Sequence, residues 1–112
     1  MQKSKNGKYI VSEYIKNPLL INGHKFDLRI YVALTSIDPL KIYIYKEGLA
    51  RFATEPYKID KKNFDVFTHL TNFSINKKND KFFTSFQEQE LGFKWNFETL
   101  ENKLKKLGID WK

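Results

Sequence analysis

Apolar and polar residues alternate most regularly between Lys25 and Thr35. Phe26, Leu28, Ile30, Val32 and Leu34 fall on one side of this run, and Lys25, Asp27, Arg29, Tyr31, Ala33 and Thr35 on the other. Successive side chains of a strand point to opposite faces, so period two over eleven residues predicts a strand with one buried face. Upstream, Tyr9–Ile15 is β-branched and aromatic and predicts another strand. Asn17-Pro18 breaks it, Leu19–Ile21 is a short apolar run, and Asn22-Gly23 signals a tight turn. Downstream, Asp38-Pro39 predicts a turn and Lys41–Lys46 a strand with Ile42 and Ile44 on one face. Glu47-Gly48 then turns into a strand over Leu49–Ala53. Together these strands read as an antiparallel meander.

The pattern changes towards the end of the chain. Thr68–Ile75 reads as partly extended and Asn76–Asp80 as a polar loop. Phe97, Leu100, Leu104 and Leu107 then form an i, i+3, i+7, i+10 stripe, which predicts an amphipathic helix. Asn96 suits its N-cap and Gly108 its end. Glu98 and Glu101 lie early and Lys103, Lys105 and Lys106 late, matching the helix dipole. The expected class is α+β: a mainly antiparallel sheet with a C-terminal helix.

At 112 residues the chain amounts to one domain at most. Aromatics make up 16% and hydrophobics 41%, enough apolar surface to offset the entropy of ordering. Residues 1–8 are polar and Lys-rich and are expected to fray. No cysteine is present, which excludes disulfides, a thiolate zinc site and a cysteine nucleophile. The longest uncharged run, Val66–Asn76, has 11 residues against the ~20 that span a bilayer, so no membrane partner is expected. The net charge is +7, carried by 18 Lys and 2 Arg spread along the whole chain. A nucleic-acid surface would cluster its basic residues and favour Arg, so nucleic acid is the weakest of the partners considered. A dispersed positive surface also attracts acidic polypeptides.

The chemistry-bearing pattern is the polar side of the long strand. Lys25, Asp27 and Arg29 follow one another on one face at ~6.6 Å intervals. The plain reading is a solvated, self-neutralising face. The functional one is an anion site, in which lysine offers a point charge, arginine a bidentate fork, and aspartate an acceptor. Arg51, on the last strand of the meander, is the only other arginine. His24 is expected to be exposed and His69 to be a hydrogen-bonded structural residue. Neither a Gly-rich dinucleotide loop, a Walker loop nor a serine elbow occurs.

Three strings go further. Asn17-Pro-Leu-Leu-Ile-Asn-Gly-His-Lys-Phe-Asp-Leu-Arg-Ile-Tyr, Leu49-Ala-Arg-Phe-Ala-Thr and His69-Leu-Thr-Asn-Phe-Ser-Ile-Asn-Lys occur in that order. They resemble three blocks of the tubulin tyrosine ligase-like family, with Lys-Phe-Asp-x-Arg the most specific. The resemblance covers about residues 9–96 and implies that residues 9–112 are part of an ATP-grasp ligase domain. Family members use ATP to join an amino acid to carboxylates of tubulin tails or related proteins, through an acyl phosphate. Asn72-Phe-Ser-Ile-Asn-Lys and Ala50-Arg-Phe-Ala-Thr resemble the glutamylating branch, so free glutamate is the expected amino acid. The implied setting is cytoplasmic, on the cytoskeleton or in cilia.

Carried over by motif, Ser12, Glu13, Tyr14 and Ile15 would form the strand bordering the adenine, mostly through backbone groups. Lys25 and Asp27 would contact the nucleotide and Arg29 its phosphates. Arg51 would hold the carboxylate of the incoming amino acid or the transferring phosphate. Thr71 and Asn72 would line the phosphate end, and Lys94, in Gly-Phe-Lys-Trp, would meet the amino acid. Arg29 and Arg51 are the implied catalytic residues, and ATP and magnesium the implied cofactors. Two departures stand out. The family commonly has Gln where Ser12 stands. Its lid precedes these blocks and its magnesium-binding Asp and Glu-x-Asn follow them, so no metal ligand is assigned within this chain. The expectation is a partial domain that is nearly inactive alone. The alternative is a catalytically dead basic module that binds acidic tubulin tails, whose microtubule binding would weaken with salt and ignore nucleotide.

Overall fold

The computed structural model describes residues 10–59, 64–81 and 93–111. The expected fraying of residues 1–8 lies outside them. The described residues are α+β, with a four-stranded antiparallel sheet, a separate two-stranded ribbon, two short helical turns and a C-terminal helix.

Strand β1 (Leu20–Ile21) turns through Asn22-Gly23 into β2 (His24–Arg29). Ile21 faces His24, so two residues make the turn, and both have positive φ, +52° and +78°. That is the geometry for which Asn-Gly is the preferred pair. β2 ends at Arg29. The ribbon of β3 (Val32–Ile37) and β4 (Leu40–Ile44) follows, turning at Asp38-Pro39, a cis peptide. Tyr45 N–H donates to the Tyr31 carbonyl at 2.9 Å and closes the ribbon's base. The chain then returns as β5 (Leu49–Phe52), which pairs with β2 and not with β4.

The continuous strand expected over Lys25–Thr35 is therefore two strands in two sheets, and the meander is a sheet with a ribbon inserted. Alternation survives the break at Ile30-Tyr31, which is why the pattern alone does not show it. The buried face expected for this run ends at Phe26. Leu28, Ile30, Val32, Leu34, Ile42 and Ile44 are all exposed; the last four lie on the ribbon, whose strands pack chiefly on each other.

β5 takes its place beside β2 for the burial available there. Phe26 faces Phe52, stacked at 5.5 Å between centroids, and Leu28 faces Ala50. On the far side β5 pairs with β6 (Lys94–Asn96), bringing Trp95 opposite Ala50 and 4.6 Å from Phe52. Helix α3 (Phe97–Lys106) follows at once and lays Leu100 and Leu104 on this face. The core is Ile21, Ala50, Phe52, Trp95, Leu100 and Leu104, flanked by Phe26, Phe93, Phe97, Ile109 and Trp111.

The helix starts and stops as its sequence predicts. The Asn96 side chain accepts from Thr99 N–H at 2.8 Å. At the other end Gly108 has φ +72°; its N–H reaches the Lys105 carbonyl, and Ile109 N–H reaches that of Leu104, both at 3.0 Å. This is a Schellman ending with Ile109 as its apolar plug. Leu107, the last residue of the expected stripe, is exposed at the C-cap instead.

Three further expectations change. Of the strand expected over Tyr9–Ile15, Tyr9 lies outside the described residues and residues 10–15 form no strand, with Ile10, Val11 and Ile15 exposed. Thr68–Ile75 is not extended but makes two helical turns, α1 (Val66–His69) and α2 (Phe73–Asn76). Asp65 caps α1, accepting from Phe67 and Thr68 N–H at 2.7 and 3.1 Å. This side-chain bonding satisfies otherwise orphaned donors, a local gain that outweighs the β propensity of Val66, Phe67 and Thr68. His24, expected to be exposed, is half-buried, with Nδ1 2.9 Å from the Ala53 carbonyl.

Candidate active site

Asp27 on β2, Arg51 on β5 and Lys94 on β6 are register partners across three adjacent strands. Cross-strand partners project to the same face. Their sequence neighbours Phe26, Phe52 and Trp95 belong to the core side, so the opposite face of the sheet carries the charge. Lys25 and Arg29 lie two residues to either side of Asp27 on that same face.

The centre of the row is an ion pair. Arg51 Nε donates to Asp27 Oδ1 at 2.8 Å and Nη2 to Oδ2 at 2.5 Å, a bidentate fork. Both side chains are partly solvated. The hydrogen bond to Asp27 raises the guanidinium pKa, against the lowering effect of burial. Arg51 is therefore a fixed cation whose orientation Asp27 sets.

The α1–α2 segment is tied to all three strands. Lys25 Nζ donates to the His69 carbonyl at 3.0 Å. Asn76 Oδ1 accepts from Thr54 N–H and from Thr54 Oγ, both at 2.9 Å, just beyond β5. Lys94 Nζ lies 3.5 Å from the centroid of the Phe73 ring. Asn76 also donates to the Leu70 and Asn72 carbonyls at 2.8 and 3.1 Å, which fixes the turn between the two helices. Thr71 is buried in that turn, and Asn72 is exposed at the N-cap of α2, making no side-chain capping bond.

Of the residues singled out from sequence, Lys25, Asp27, Arg51 and Lys94 share one face, with Thr71 and Asn72 on the segment tied to it. Tyr14 joins them, since Lys25 Nζ donates to its hydroxyl at 3.2 Å and sits 4.7 Å from its ring centroid. Ser12, Glu13 and Ile15 are exposed and belong to no strand, so the expected bordering strand is not formed. Arg29 is exposed at the far end, its guanidinium 5.3 Å from the centroid of Tyr31. His69 is buried, with Nδ1 2.8 Å from the Asp65 carbonyl and its ring against Tyr57 and Phe64, as a structural histidine should be.

The Tubulin-tyrosine ligase family model matches residues 1–112. The chain belongs to this family. It is 46% identical over 110 residues to the tubulin polyglutamylase ttll-5 of Caenorhabditis elegans, covering 95% of this chain and 15% of that protein. It is 48% identical over 104 residues to the human tubulin polyglutamylase TTLL5, covering 90% of this chain and 8% of the relative. The mouse tubulin monoglutamylase TTLL4 is 44% identical over 111 residues, 97% of this chain and 9% of its own length. The chain thus spans a small part of the relatives it matches, which are named as tubulin polyglutamylases and a tubulin monoglutamylase.

Thr54, Phe73 and Asn76 escaped the sequence reading although they hold this face together. Asn76 stands four residues after Asn72, one helical turn away, but an extended reading of Thr68–Ile75 hides that spacing. Phe73 meets Lys94 only through the fold. Among the described residues no group of three or more His, Cys, Asp or Glu could hold a metal ion. No described helix is long and apolar enough to cross a membrane.

Proposed function

We propose that this segment forms the floor of the nucleotide and amino-acid site in an ATP-grasp ligase that adds glutamate to carboxylates on the acidic C-terminal tails of tubulin. The observation that carries the reading is the row Asp27–Arg51–Lys94 with Lys25 and Arg29 beside it, four cations and one carboxylate on one face of one sheet. Such a face suits a polyanion and a carboxylate substrate, and rigid strands hold it in place. The names of the relatives support tubulin as acceptor and glutamate as donor.

ATP, when bound, supplies the phosphoryl group: an acceptor carboxylate oxygen takes the γ-phosphoryl, ADP leaves, and the glutamate nitrogen then displaces phosphate at the acyl carbon with loss of a proton. The residues of this chain bind and orient. Lys25, braced by Tyr14 and the His69 carbonyl, faces the nucleotide, and Arg29, at the open end of the row, takes phosphate oxygens. Asp27 fixes the plane of Arg51, which holds the amino-acid carboxylate or the transferring phosphoryl. Thr71 and Asn72 close the phosphate end, and Lys94 adds a second cation towards the amino acid. The described residues do not fit a magnesium site, so no step is assigned to the metal here.

The test is ATP-dependent transfer of labelled glutamate to tubulin by the full-length protein. Arg51→Ala is expected to abolish transfer and leave ATP binding largely intact. Lost nucleotide affinity in that variant would move Arg51 to the phosphates, and no transfer by the unaltered protein would refute the reading.

A further inference from the structure

We infer that Phe73 is a positioning residue for glutamate binding, acting by holding the Lys94 ammonium over its ring. This rests on the reading of Lys94 and Arg51 as the amino-acid end of the site. Lys94 Nζ lies 3.5 Å from the Phe73 centroid, while Lys77, at 5.6 Å, is much further from the same ring. A cation centred on an aromatic face is held by the ring quadrupole, without a counter-ion that would cancel its charge. That distinction matters here. Arg51 is already paired with Asp27 through two hydrogen bonds. Lys94, its register partner on β6, is steered by a neutral ring and pairs with no carboxylate among the described residues. A dicarboxylic amino acid brings two anionic groups, and two cations side by side on one face match it better than one.

Phe73 also links the two ends of the site. It follows Asn72 directly, so the turn assigned to the phosphates and the lysine assigned to the amino acid share one contact.

The experiment compares Phe73→Leu, which keeps apolar bulk but removes the π face, with Phe73→Tyr, which retains it. Steady-state transfer by the full-length protein is measured with glutamate and ATP varied separately, and melting temperature is recorded for each variant. Phe73→Leu is expected to raise the KM for glutamate roughly three- to tenfold, with the KM for ATP and the melting temperature little changed. Phe73→Tyr is expected to behave like the parent, and Phe73→Leu to add nothing once Lys94→Met is present. An unchanged glutamate KM in Phe73→Leu, a parallel rise in both KM values, or additivity with Lys94→Met overturns the assignment. If the unaltered protein transfers no glutamate, the functional reading fails by itself. The contact is still decided by NMR of lysine-labelled protein: an upfield ring-current shift of the Lys94 ε-protons, lost in Phe73→Leu, supports it, and its absence overturns it.

Discussion

Asp27 and Arg51 meet side-on across β2 and β5, and each carboxylate oxygen accepts from a different nitrogen of the same guanidinium. Because both side chains are partly solvated, the pair contributes about 1 kcal/mol or less to stability. Its value lies in orientation. Asp27→Asn is expected to move the urea midpoint only slightly while reducing glutamate transfer at least about tenfold, since a misoriented group can cost far more in rate than in stability. Loss of fold and activity in proportion would assign Asp27 a structural role only. The arginine side of this pair should be insensitive to ordinary pH. The hydrogen bond to Asp27 raises the Arg51 pKa above its ordinary, already strongly basic value, so its contribution is complete below that ordinary value and is lost only as pH rises past the raised one.

Acid should act elsewhere, at Glu55. Its carboxylate accepts from Lys81 Nζ at 3.0 Å and Asn79 Nδ2 at 3.1 Å, and these bonds, Lys81 first, lower its pKa from 4.5. A depressed carboxylate stabilises the fold fully above its unfolded value, and that contribution drains away as pH falls through the folded one. Glu55→Gln should therefore show a smaller drop in urea midpoint than the parent between about pH 6 and pH 3.5. Equal drops would remove Glu55 from the acid response.

What the sequence shows plainly is what local chemistry decides. Asn96 and Gly108 bracket α3, Asn22-Gly23 makes the turn into β2, and Leu49–Phe52 is a strand, because caps, left-handed turns and short-range alternation act over a few residues. The charged face was legible for the same reason: Lys25, Asp27 and Arg29 are spaced by strand geometry alone. Partnership was not legible. Alternation through Ile30 and Tyr31 is the same whether one strand continues or a ribbon begins, and only the burial of Phe52 and Ala50 beside Trp95 decides that β5 returns to β2. The contacts of Thr54 with Asn76 and of Phe73 with Lys94 span about twenty residues, with no periodic signal to announce them.

Asn76 is the most heavily committed polar side chain of the site, 1% exposed and bonded to Thr54, Leu70 and Asn72. Asn76→Ala removes the side-chain partner of the buried Thr54 and of the Leu70 carbonyl, while the Asn72 carbonyl keeps the Ile75 and Asn76 N–H groups. Unpaired buried groups cost more than their bonds contributed, so the expected destabilisation is about 2–4 kcal/mol by urea titration. Asn79→Ala removes bonds to Thr54 Oγ and Glu55 at a wetter position, and should cost about 1 kcal/mol. The reverse order would mean that the turn carrying Thr71 and Asn72 is fixed by something other than Asn76.

Gly48 marks where the chain rejoins the sheet, and it is glycine for lack of room. A Cβ there would lie 2.3 Å from Phe97 Cζ and 2.5 Å from the Arg29 carbonyl oxygen. A ring can rotate away, but the carbonyl belongs to the end of β2 and moves only with that strand. Gly48→Ala is therefore expected to cost about 1–3 kcal/mol or more, as overpacking of a buried position does. A second substitution separates the two obstacles. Adding Phe97→Leu relieves the ring contact alone, so Gly48→Ala should still destabilise the Phe97→Leu protein in a urea titration. Full recovery in the double variant would show that the β2 carbonyl yields freely, and that Arg29, carried on that residue, is not held in place by the close approach at Gly48.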